Sequence, residues 1–94
     1  MLSKMPILLE HINAGNRDKQ ILRAGLIAEY DAINLYEQMA SLAESEDIKK
    51  VMLDVAKEEK EHVGEFQTLL LRMDEEQVEE MIGGKEEIKE LTGK

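Results

Sequence analysis

The chain has 94 residues, enough for one small domain whose limited core invites support from a metal or an oligomer. It contains no cysteine, which excludes disulfides, zinc ribbons and rubredoxin-type centres and fits a reducing cytoplasm. A net charge of −9 argues against nucleic acid, no apolar run approaches the ~20 residues of a membrane span, and Met5–Leu9 is too short for a signal-peptide core.

The lead-in, residues 1–17, is weakly patterned. Pro6 suits a first helical position, so Pro6–Ile12 is a possible helical turn, and Ala14-Gly15-Asn16 reads as a break. The first long helix is expected from about Asp18 to Ala43, with Leu22, Leu26, Ile33, Met39 and Ala43 at helical spacing. The second is expected from about Glu46 to Met73, with Ser45 as N-cap and Glu46 and Asp47 favourable against the helix dipole. So short a connection folds the two helices into an antiparallel hairpin. Asp74 opens a short third helix, Glu75–Ile82, with Gln77 at the capping-box position, and Gly83-Gly84 ends it. The expected division is a lead-in over 1–17, a helical domain over 18–82 and a charged linker or tail over 83–94. The fold class is all-α.

The seam of the second helix, positions 48, 52, 55, 59, 62, 66, 69 and 73, is apolar except at Glu59 and His62. The seam of the first helix, positions 22, 26, 29, 33, 36 and 40, is interrupted by Glu29 and Tyr36. A carboxylate buried alone in a bundle is very costly, so it must be paired or bound to a cation. Glu29 and Glu59 are equidistant from position 44, where the Ser45 cap independently places the turn. They therefore face each other at one level, with His62 one turn along, about 4.5 Å by helical rise.

Glu59-Lys60-Glu61-His62 is an E-x-x-H unit. In ferritin-like di-metal proteins a four-helix bundle supplies two lone glutamates and two such pairs. This chain supplies one of each on two long helices, so two copies about a two-fold axis would complete a ferritin-like bundle around two metal ions. Blander roles exist for each residue alone: His62 as a core histidine, Glu59 snorkelling outward, Glu29 paired with Lys60 or Arg23. Tyr36 reads as a packed tyrosine. Glu58, Glu61 and Glu65 read as surface, although Glu58 or Glu65 could accept the second ring proton of His62. His11 has no assigned role.

Glu29-Tyr-Asp-Ala-Ile-Asn-Leu-Tyr36, followed by Lys57-Glu-Glu-Lys-Glu-His62, resembles the encapsulated ferritins. These are two-helix cargo ferritins of encapsulin nanocompartments, related to rubrerythrins. The resemblance covers roughly Gln20–Met73. It implies a ferroxidase centre formed only at a homodimer interface, with two iron ions per dimer. Glu59 would bridge both irons, Glu29 and His62 would ligate from the flanks, and Tyr36 would lie near the centre. It further implies an annular decamer held partly through the third helix, and an encapsulin shell as partner, inside a cytoplasmic nanocompartment. In some archaea such a domain is fused to the shell protein, and the Gly83-Gly84 region suits a linker. The chain departs from the family pattern at Leu35, where a tryptophan is usual. It departs again at the outer metal-access pair, where Asp31 is acidic and Ala28 is not. Two other readings remain: a rubrerythrin-like peroxidase, and a structural helical hairpin whose polar seam residues fix register.

Overall fold

The computed structural model describes residues 14–94, which form three helices: α1 (Ala14–Leu42), α2 (Glu46–Met73) and α3 (Glu75–Thr92). The expected turn over Pro6–Ile12, and His11, lie outside the described residues. α1 begins earlier than Asp18, so Ala14-Gly15-Asn16 forms its first turn instead of a break. First-turn amides need no partner four residues back, so glycine and asparagine are tolerated there.

The hairpin turn closes where the cap predicted it. Ala43 N–H still donates to Met39 O, and the extended Ser45 accepts the Ile48 N–H at 3.3 Å through its side chain. α1 and α2 then pack along their length. The buried apolar residues are Leu26, Ile33 and Ala40 on α1 and Ala56 and Leu70 on α2. Both sets repeat at multiples of seven, the seam period of packed helices. Three residues after each heptad position comes a second seam: Leu22, Glu29 and Tyr36 on α1, and Met52, Glu59 and Phe66 on α2. All six are only half-buried. One seam is closed by the hairpin itself, and the other remains partly open.

α3 runs ten residues beyond the expected stop at Ile82, straight through Gly83-Gly84 to Thr92. Glycine costs about 1 kcal/mol in a helix interior. The flanking Glu, Lys, Ile and Leu are good helix formers and carry the helix across the pair. Termination comes at Gly93, whose left-handed φ of 76° lets its N–H donate to Lys89 O at 2.8 Å. The charged tail is therefore mostly helix. α3 turns away from the hairpin: its backbone approaches α2 and not α1, and the molecule measures 46 × 43 × 20 Å.

Asp74 holds this corner. Its Oδ1 accepts the Gln77 N–H at 3.1 Å, capping α3, while Oδ2 accepts from Arg23 Nη2 of α1 at 2.8 Å. The cap was legible in sequence; the Arg23 pairing, which spans 51 positions, was not. The Gln77 amide above all, with help from Arg23 and Lys19 and against the effect of burial, holds the Asp74 carboxyl below its ordinary 3.8. A lowered folded-state value means that the contribution to stability is complete above pH 3.8 and is lost as pH falls through the lowered value. Acid titration followed by circular dichroism is expected to show a loss of helix starting below pH 3.8, and Asp74→Asn is expected to remove that component. An unchanged acid limb in the variant would contradict this role for Asp74.

Candidate metal centre

α1 presents Glu29, and α2 presents Glu59 and His62 on successive turns. One ligand atom from each lies within 4.8 Å of the others, and all three residues are half-buried. His62 Nδ1 stands 3.4 Å from Glu29 Oε2 and 3.4 Å from Glu59 Oε2. The carboxylate side chains are 17% and 19% exposed, whereas the imidazole is 45% exposed. The group is thus sealed on the hairpin side and open along the His62 edge.

Glu29 Oε2 is buried without a hydrogen-bond donor. A buried carboxylate oxygen lacking a donor is costly unless a cation lies beside it. The two lysine or arginine partners that a purely structural glutamate would use are engaged elsewhere. Lys60 Nζ pairs with Glu37 at 3.3 Å, and Arg23 pairs with Asp74. Two carboxylates and an imidazole converging on one point form a donor set suited to a divalent transition-metal ion such as iron or manganese. Iron is among the ions this donor set suits, and Glu29, Glu59 and His62 are the residues that would hold it.

The other sequence candidates lie around this cluster without joining it. Tyr36 is half-buried, two turns beyond Glu29 on the same seam. Asp31 is half-buried on α1. Glu58 is exposed, and Glu65 is exposed in a shallow cleft on α2 with Glu61, Thr68 and Arg72. The carboxylates that His62 Nδ1 faces are those of Glu29 and Glu59. No helix among the described residues is long and apolar enough to cross a membrane.

The uncovered edge continues in apolar residues. Val51, Leu69 and Met73 lie eleven, seven and eleven positions from His62, hence on the same side of α2, and all are exposed. A donor cluster is therefore set within an apolar surface.

Comparison with known proteins gives a consistent set of relatives. The family model described as rubrerythrin matches residues 20–92. The ferritin-like–encapsulin shell fusion protein of Pyrococcus furiosus is 56% identical over 101 residues, covering 99% of this chain and 28% of that protein. The encapsulin nanocompartment cargo protein EncC of Myxococcus xanthus is 41% identical over 56 residues, covering 60% of this chain and 43% of that protein. The chain thus spans less than half the length of either curated relative. Among solved structures, the encapsulated ferritin domain from Pyrococcus furiosus superposes with a TM-score of 0.85 at 54% identity, covering 100% of this chain and 98% of that one.

Proposed function

The chain belongs to the rubrerythrin family of ferritin-like proteins, and from that premise we propose that it is a ferroxidase whose di-iron site is shared between two copies. The observation that carries this reading is the orphaned Glu29 Oε2, buried beside Glu59 and His62 with no lysine or arginine paired to it among the described residues. Ferrous iron is the substrate. Each ion gives one electron to dioxygen, and hard carboxylate donors favour the ferric product. Glu29 and Glu59 bind the cation, and His62 supplies the neutral nitrogen donor. The acidic chain, at −9, raises the local concentration of cations.

The half-open seam supports sharing between copies. One hairpin offers three donors and leaves the His62 edge uncovered within exposed apolar residues. A second hairpin on the two-fold axis would cover that edge, complete a four-helix bundle and bring a second Glu29–Glu59–His62 set to the same place. The names of the two curated relatives support association with an encapsulin shell in a nanocompartment, and the dimers would assemble into a ring, a decamer. α3, whose Val78, Met81, Ile82, Ile88 and Leu91 are exposed, would supply a surface for that assembly.

The rubrerythrin match makes hydrogen peroxide the rival oxidant. Single-turnover oxidation of bound Fe(II) should proceed under air at a rate that Glu29→Ala, Glu59→Ala and His62→Ala together abolish. Faster oxidation by equimolar peroxide than by dioxygen would favour the peroxidase.

A further inference from the structure

One turn away from the metal ligands, α1 and α2 meet at a glycine and a phenylalanine. Gly25 precedes Glu29 by four residues, and Phe66 follows His62 by four. In an antiparallel hairpin both therefore lie at the same end of the cluster. A Cβ built on Gly25 would stand 3.1 Å from both Cδ2 and Cε2 of Phe66. The ring fills the notch that the missing side chain leaves.

Nothing in the backbone requires glycine there. Gly25 lies inside α1, and among the described residues only Gly93 has a positive φ. A glycine in a helix interior costs about 1 kcal/mol relative to alanine. What glycine provides is close approach, because helix separation depends on the side chains at the contact. Gly64, by contrast, faces open space, where a Cβ would meet nothing within 4 Å.

We propose that the Gly25–Phe66 notch is a positioning device for the metal site. It sets the α1–α2 spacing at which Glu29 meets Glu59 and His62. The inference rests on the metal-binding reading above. A Cβ at position 25 requires the ring to give by a few tenths of an ångström or the helices to part. Parting the helices moves Glu29 on α1 away from Glu59 and His62 on α2, across a cluster only 4.8 Å wide. Phe66 is not itself a ligand; it acts through the residues that are.

The test uses Co(II) as probe, anaerobically, with affinity and the visible ligand-field spectrum as readouts beside the melting curve of the metal-free protein. Gly25→Ala is expected to keep its helicity yet bind Co(II) about tenfold more weakly, the usual scale for disturbing groups that orient ligands, with altered band intensities. Phe66→Leu alone empties the notch and is expected to weaken binding by a smaller factor, which keeps the proposal testable if Gly25→Ala does not fold. The double variant, with the added methyl matched by a smaller side chain, is expected to recover affinity and spectrum towards the parent. Parental affinity and spectrum in Gly25→Ala, or no recovery in the double variant, would overturn the proposal. A parent chain that takes up no Co(II) would instead overturn the metal reading itself, and this device with it.

Discussion

Replacing Glu29, Glu59 and His62 together with alanine is expected to reduce Fe(II) oxidation under air to the uncatalysed rate. The expected loss is large because the three side chains are the whole donor set that one chain offers: among the described residues, no other group of three or more His, Asp or Glu could hold a metal ion. Single replacements separate the roles. Glu59→Ala removes one of the two carboxylates that face His62 Nδ1. It leaves Glu29 Oε2 and His62 Nδ1, which already face each other at 3.4 Å, free to draw closer. His62→Ala removes the nitrogen donor and is expected to weaken metal binding, whereas Glu29→Ala removes the buried oxygen that has no donor. Its metal-free melting temperature is expected to stay level or rise while iron binding is lost, since an orphaned buried carboxylate costs stability. A rise in stability together with a loss of function is the signature of a residue kept for its ligand. A triple variant that oxidises Fe(II) as fast as the parent would end the ferroxidase reading.

The second large effect concerns the apolar edge. Val51→Glu and Leu69→Glu each place a carboxylate on the exposed side of α2 that also carries His62. In an isolated hairpin such a change is exposed and close to neutral. In the proposed dimer it buries an unpaired charge at a cost of several kcal/mol, incurred twice by symmetry. Native mass is expected to shift from an even-numbered assembly to monomer. Iron affinity is expected to fall at least about tenfold although all three ligands remain, because in the proposed dimer half of the coordination would come from the other copy. A monomeric variant that still binds iron as tightly as the parent would show that the site is complete within one chain.

Much of this was legible in the sequence because it depends on spacing. Glu59 and His62 stand out against an apolar stripe, and the position of Glu29 is fixed by the turn that Ser45 caps. Helical rise and hairpin geometry carry that inference with no knowledge of side-chain packing. Features that depend on three-dimensional competition were hidden. Arg23 is one of several cations that could have served Glu29, and only the fold shows that Asp74 takes it, across 51 positions. Lys60 adjoins Glu59 in sequence but pairs with Glu37. Gly83-Gly84 carries the strongest local stop signal in the chain, and α3 ignores it because the residues around the pair favour helix. Gly25 was visible as an interior glycine, but its purpose appears only when the Phe66 ring is found 3.1 Å from where its Cβ would be. The two-seam pattern also needed burial to become clear: positions 26, 33, 40, 56 and 70 close within the hairpin, whereas 22, 29, 36, 52, 59 and 66 remain half-open.

The shared cation site is tested most directly by loading the protein anaerobically with Fe(II) and measuring bound metal per chain and native mass on the same sample. The expected result is one iron per chain, carried only by assemblies with an even number of chains. Iron held by a lone monomer, or even-numbered assemblies that bind none, would contradict it.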